Sequence, residues 1–276
     1  MTDTSITIRP LTTREEYEAC VSLQRDIWGH DFVDVVPATI LMVSQRVGGV
    51  SSGAFTADGH LVGFVFGISG VRHGLPSHWS DMLAVRPEVR RQGLGRQLKL
   101  HQREQLLALG IERVFWSFDP LVSRNAQLNL TSLGATAREF VPNMYGDTGS
   151  LLHAGLATDR MIADWRLTDP AVERALAGTP VPLPTTALQA PIVVSEQDAG
   201  LDTVPLPDAQ WVRIECPPDI DSLKTSAPER AARWQRIIRR ALTTYLNERH
   251  AYVAGIHHDA SSGRWFYAVH TESNES

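Results

Sequence analysis

The stretch Leu83-Ala84-Val85-Arg86-Pro87-Glu88-Val89-Arg90-Arg91-Gln92-Gly93-Leu94-Gly95-Arg96 decides the fold. It begins at the end of a predicted strand, His78 to Val85, closed by Pro87. It leads into a predicted helix over Gly93 to Leu109, with Leu94, Leu98, Leu106 and Leu109 turned inward and Gly110 as the stop. Glycines at such a turn let the backbone approach a ligand closely, and the unpaired N–H groups of a helix start converge on an anion. Arg90, Arg91 and Arg96 add charge-assisted contacts suited to a polyphosphate. The pattern is not a Walker loop, since the only lysines are Lys99 and Lys224, nor a dinucleotide fingerprint, since Leu98 stands where a third glycine belongs.

On the N-terminal side, Ser5 to Arg9 alternates with period two and reads as a first strand, closed by Pro10. Thr13 to Trp28 carries Tyr17, Val21, Leu23 and Ile27 near helical spacing and ends at Gly29, and Pro37 opens a second short helix stopped by Gly48-Gly49. Ala54 to Ala57 and Leu61 to Ile68 flank Asp58-Gly59 as an antiparallel hairpin, the second strand apolar on both faces. Downstream, Arg113 to Phe118 is a strand, Pro120 to Leu133 a helix ended by Gly134, and Ala135 to Val141 and Met161 to Leu167 two closing strands. From Thr168 to Leu206 six prolines accumulate without a persisting period, which predicts a linker or an arm. A second unit follows: a strand over Trp211 to Glu215, a helix opened by a capping box at Ser226-Ala227-Pro228-Glu229, and a hairpin of Ala251 to His257 with Arg264 to His270.

Composition bounds the function. The 276 residues carry a net charge of −5 with 43 % hydrophobic residues, which excludes disorder as the main state and disfavours a general nucleic-acid binder. Cys20 and Cys216 stand far apart, so neither a disulfide framework nor a cysteine zinc cage is expected, and the ten histidines form no HExxH pair. No metal is expected. The longest apolar run, Leu61 to Val71, is short of a ~20-residue membrane span, and Met1 to Ser5 carries no signal-peptide pattern, so the expected location is cytoplasmic.

With Leu83-Ala84-Val85, Arg90-x-x-Gly93-x-Gly95 and Asn125 to Leu133-Gly134-Ala135 in this order, residues 5–167 resemble the GNAT superfamily of acyl-CoA N-acyltransferases. Phe118-Asp119-Pro120-Leu121, Arg124-Asn125-Ala126 and Thr158-Asp159-Arg160 are similar to a bacterial subgroup with a C-terminal extension. The resemblance implies an α/β fold with a mixed, mainly antiparallel central sheet flanked by helices. It also implies acetyl-CoA or another acyl-CoA as co-substrate and a small-molecule amine as acceptor, with a succinyl donor as a variant. The pantetheine arm would pair with Leu83, Ala84 and Val85, and the pyrophosphate would lie on the amides of Gln92, Gly93, Leu94, Gly95 and Arg96. Asn125 would face the pantetheine.

The implied reaction is direct attack of a neutral amine on the thioester. It requires a base for the ammonium proton, donors for the carbonyl oxygen and an acid for the leaving thiolate. Asp81, two residues before Leu83, is the chosen base, with His78 and Asp119 as alternates; Asp119 also reads as a helix cap. The family's tyrosine, four residues before the glycine of the Leu-Gly turn, is Leu130 here, and Tyr145 is the nearest replacement acid. That loss keeps open a second reading, a catalytically weak or inactive CoA-binding or interaction module. Gly49-Val50-Ser51-Ser52-Gly53 matches G-x-S-x-G but has its strand and helix in the wrong order for a nucleophile elbow. Arg230, Arg233, Arg236, Arg239 and Arg240 read as the solvated face of the C-terminal helix. The organisation expected is an acyl-CoA-binding domain over 5–167, an arm over 168–206 and a small α+β unit over 207–276, whose apolar helix face completes the first domain or a homodimer interface. Trp28, His30, Asp31, Asp34 and Arg72 are the expected acceptor-pocket residues.

Overall fold

The computed structural model describes residues 5–90, 92–146, 155–195 and 205–271. The chain packs into two compact units, one through Trp116 and the other from Ser117 onward. In the first unit, β1 (Ile6–Pro10) leads to α1 (Arg14–Trp28), which a capping box starts: Thr13 Oγ1 accepts from Glu16 N, and the Glu16 carboxylate accepts from Thr13 N, both at 3.3 Å. α2 (Ala38–Arg46), β2 (Val50–Thr56), β3 (Leu61–Arg72), β4 (Leu75–Val85), α3 (Leu94–Ala108) and β5 (Arg113–Phe118) follow. Strands β1 to β4 form an antiparallel meander, and β5 joins β4 in parallel. Beneath α1 and α2 lies a core of Tyr17, Leu23, Leu41, Phe64, Phe66 and Met82. Leu61 to Gly67 of β3 is buried throughout, matching its unbroken apolar run.

The second unit holds α4 (Ser123–Ala126), which runs into a π-helical turn over Gln127–Ser132, then β6 (Thr136–Val141) and β7 (Arg160–Arg166). Next come α5 (Pro170–Leu176), α6 (Thr185–Leu188), β8 (Ile192–Val194), β9 (Trp211–Cys216), α7 (Ile220–Ser226), α8 (Pro228–Leu242), β10 (Tyr252–Asp259) and β11 (Arg264–His270). Its strands lie in the order β7, β6, β10, β11, β9, β8, all antiparallel except the β8–β9 pair. One face of this sheet is apolar, and α8 brings buried Trp234, Ile237, Ile238 and Ala241 to the core.

The packing divides after Trp116, and β6 and β7 share their sheet with β10, through Val253 opposite Ala137. The described part of the proline-rich stretch, 168–195 and 205–206, carries secondary structure of its own. Asp169 caps α5 by accepting from Ala171 N at 2.8 Å with Pro170 in the first turn, β8 pairs with β9, and Leu183 packs 3.3 Å from where a Cβ on Gly255 would stand. Ser226 opens no capping box: it ends α7, its Oγ bonds Ser222 O at 2.8 Å, and the N-cap of α8 is Ala227. No helix among the described residues is long and apolar enough to cross a membrane.

Candidate active site

In the first unit the candidate residues fall on β4 and the start of α3. The β3–β4 register runs Phe66 opposite Met82 and then Gly67 opposite Ser80, leaving Asp81 as the extra residue of a β-bulge. A bulge re-aims its side chain, and Asp81 is exposed where Met82 and Ser80 on either side are buried. Its pKa is raised, first by desolvation among its neighbours and then by the Asp34 carboxylate on the α1–α2 loop; a hydrogen bond from Trp79 opposes both. Asp34 is held there because the Gln24 side chain makes two bonds to the Val36 backbone, at 2.7 and 3.1 Å. Trp28 packs on Phe32 and Phe64, while Arg72 lies over the Phe115 ring at 4.2 Å.

Beyond the bulge, β4 loses its parallel neighbour. The ladder with β5 comprises His78 opposite Val114 and Trp79 opposite Phe115, although β4 continues to Val85. Among the described residues the β5-facing edge of Leu83, Ala84 and Val85 thus has no ladder partner, and such a strand edge is of the kind that takes up an extended ligand. A short 3₁₀ turn, Pro87–Val89, then reverses the chain, and Arg90 Nε bonds Val85 O at 3.1 Å. Gly93 is the N-cap of α3 at φ 74°, a left-handed conformation that favours glycine, and no side chain caps this end. The first amides of the helix therefore point out of its N-terminus, as those of any helix start do. Gly95 faces Leu83, with its Cβ position 3.5 Å from Leu83 Cδ2. Gln92 and Arg96 sit on the same turn; Arg91 lies outside the described residues.

His78, an alternate base, is fully buried. Its Nδ1 lies 2.9 Å from Ser69 Oγ and its Nε2 3.0 Å from Gln102 Nε2, and burial lowers its pKa to about 3. It is a structural neutral imidazole, not a group facing an acceptor. Ser51 of the G-x-S-x-G stretch is equally committed, buried on β2 with Oγ donating to Leu41 O at 2.7 Å.

The second unit carries the remaining candidates. Asp119 accepts from Leu121 N at 2.8 Å, a local turn cap, and desolvation raises its pKa against the pull of Arg160. Asn125 is exposed on α4. Leu130, where the family's tyrosine is expected, is buried. Tyr145 is 39 % exposed, its hydroxyl 2.7 Å from Ser117 Oγ, with the Arg160 guanidinium 5.5 Å over its ring.

The turn that presents Tyr145 is tied down from two directions. Thr158 Oγ1 accepts from Tyr145 N at 3.0 Å, and Asp159 Oδ1 accepts from Asn143 N at 2.9 Å, with Asn143 held at φ 45°. Asp159, itself buried, receives a two-pronged contact from Arg239 of α8 at 2.7 and 2.8 Å, and Gln235 brackets Ala157 with bonds to its N and O. Arg239 is therefore not part of a solvated face. The sequence contained the signal, a basic residue one helical turn from Gln235, but not the distant carboxylate that makes use of it.

Residues 20–132 match the model of the acetyltransferase (GNAT) family. A comparison of the sequence with curated proteins found no match. Among solved structures, the chain is similar to the ribosomal-protein-S18-alanine N-acetyltransferase from Escherichia coli, at 21 % identity over 60 % of this chain and 96 % of that one, TM-score 0.46. It is similar to Ard1 from Thermoplasma volcanium, at 15 % identity over 60 % of this chain and 100 % of that one, TM-score 0.46. Aminoglycoside 6'-acetyltransferase type Ii matches at 17 % identity over 59 % of this chain and 98 % of that one, TM-score 0.46.

Proposed function

From the match of residues 20–132 to the acetyltransferase (GNAT) family model, we propose that the chain transfers an acyl group from acyl-CoA to the amine of a small molecule. The carrying observation is the β5-facing edge of β4, which past Trp79 has no ladder partner among the described residues and leads into the glycine-capped start of α3. Acyl-CoA supplies an activated thioester. Leu83, Ala84 and Val85 would hold its pantetheine arm as an added strand, and the amides of Gln92, Gly93, Leu94, Gly95 and Arg96 its pyrophosphate, with Arg90 beside them. Asn125 would contact the pantetheine arm from α4.

Asp81 takes the proton from the acceptor ammonium. Its bulge position supports this role, and so does its raised pKa, which brings a carboxylate closer to the basicity a proton acceptor needs. Tyr145 is the proton donor to the leaving thiolate; its hydroxyl is fixed by Ser117 and its turn by Thr158. Asp119 serves as the cap that shapes the turn after β5 rather than as a base. The donor is acetyl-CoA, or succinyl-CoA. A second reading, a CoA-binding module without turnover, draws on the buried Leu130.

The test is thermal unfolding with and without saturating acetyl-CoA and succinyl-CoA. A ligand at about a hundred times its Kd stabilises by about 2.7 kcal/mol, a rise in Tm of roughly 5 °C for a chain of this length. The rise is expected with wild type and lost in Gly93→Glu, which puts a carboxylate at the anion site. No rise in folded wild-type protein would overturn the proposal. A rise without turnover on any amine would favour the module reading.

A further inference from the structure

The parallel ladder between β4 and β5 ends at Trp79 and Phe115. One residue further along each strand stand Ser80 and Trp116, the pair that a continued register would join. Lys99 reaches between them from α3. Its Nζ donates to Ser80 Oγ at 2.7 Å and lies 4.1 Å from the centroid of the Trp116 ring. A third contact, to Gln102 Oε1 at 3.3 Å, links it to His78. Lys99 and Ser80 are each 4 % exposed and Trp116 5 %.

Among the described residues this ammonium contacts only neutral groups, and burial accounts for its pKa of about 7. An ammonium buried without an anion costs stability, and a methionine or leucine would fill the same volume more cheaply. The charge therefore has a use other than stability. A cation draws both a hydroxyl and an aromatic face onto itself and so fixes the two a side chain's width apart, a hold that a neutral side chain of the same volume does not exert.

Resting on the acyl-CoA reading above, we propose that Lys99 is a positioning residue: its ammonium wedges open the fork between β4 and β5 and so keeps the β4 edge available to the pantetheine arm. β4, α3 and β5 also carry Asp81, Arg96, His101, Arg103, Glu104 and Arg113; the ionisable group coupled to the Lys99 charge is His78 of β4, which burial keeps neutral, while α3 offers Gln102 and β5 the Trp116 ring. The hold on Trp116 therefore follows the protonation of Lys99 itself and weakens as pH rises through about 7.

The experiment measures acetyl-CoA affinity by calorimetry at pH 6.5 and pH 8.5, with steady-state kinetics at pH 6.5, for wild type, Lys99→Met, Lys99→Arg and Trp116→Leu. At pH 6.5 we expect Lys99→Met to bind about tenfold more weakly and Trp116→Leu about fivefold, the range spanned by a buried cation–π contact. The KM for acetyl-CoA should rise with them while kcat stays within about twofold, since Asp81 is untouched. Lys99→Arg, protonated at both pH values, should lose less affinity than wild type between them. Wild-type affinity in Lys99→Met, or in Trp116→Leu should Lys99→Met fail to fold, overturns the wedge while leaving the acyl-CoA site standing. Failure of wild type to bind acetyl-CoA overturns both.

Discussion

Arg239→Ala is expected to unfold the second unit early. The guanidinium makes two charge-assisted bonds, 2.7 and 2.8 Å, to an Asp159 side chain that is 3 % exposed, while Arg239 itself is 37 % exposed. Removing one member of a buried ion pair costs about 3–5 kcal/mol, because the other charge is left without compensation. The partial exposure of Arg239 admits water to the gap and places the loss near 3 kcal/mol. For a unit of roughly 150 residues that is a fall in Tm of about 6–12 °C. Differential scanning calorimetry of wild type, Arg239→Ala, Asp159→Asn and the double variant reads both the loss and the coupling. Asp159→Asn should cost less, since it removes the charge along with one acceptor, and the double variant should be less destabilised than the sum of the singles. Arg239→Lys, which keeps the charge but not the fork, should fall between wild type and alanine. A drop of under 2 °C in Arg239→Ala, or strict additivity in the cycle, would refute the reasoning that α8 anchors the Tyr145 turn.

The raised pKa of Asp81 predicts that kcat/KM falls with decreasing pH along a limb above the ordinary carboxylate range, because protonated Asp81 accepts no proton; Asp81→Asn should lose at least ~100-fold in kcat with acetyl-CoA affinity unchanged. Lys99 holds fewer protons folded than unfolded between about 7 and its ordinary 10.5, so its contribution makes stability rise with pH across that window, by at most about 1.4 kcal/mol per pH unit. Urea unfolding at pH 7 and 9.5 should show that rise in wild type and its loss in Lys99→Met. Both cysteines are buried, and burial pushes the Cys20 thiol up to about 12 and Cys216 higher still, so neither should be alkylated by iodoacetamide in folded protein and both should react in urea; fast native labelling of either would contradict the packing.

The sequence was most legible where local chemistry and tertiary packing agree. β5 occupies Arg113 to Phe118 as predicted, and α1 ends before Gly29 as the apolar spacing and that glycine predict. It was least legible where a partner lies far along the chain. The bulge at Asp81 is a matter of register against β3, and no periodicity within His78 to Val85 reveals it. The helix after Pro120 was expected as one regular element, but four α-helical residues give way to a π turn whose end buries Leu130 and Leu133. Prolines suggested an arm over 168–206, yet proline at the first turn of α5 is compatible with helix, and only the strand pairing of β8 tells that the segment is packed. Lys99 stood inside a well-read helix, and its meaning depended on Ser80 and Trp116, which only the fold brings to it.

The pairing of β6 with β10 bears on how the molecule can be dissected. Asn247 bonds both the N and the O of Phe140, at 3.1 and 2.8 Å, continuing the contact that Val253 makes beside Ala137. A fragment cut after the last strand that resembles the family would strip β6 of this cover and bare an apolar, unsatisfied strand border to water. Such a fragment is a seed for edge-to-edge association more than a minimal enzyme. The segment that carries Asn247 and β10 thus acts as a built-in safeguard against association along the β6 border.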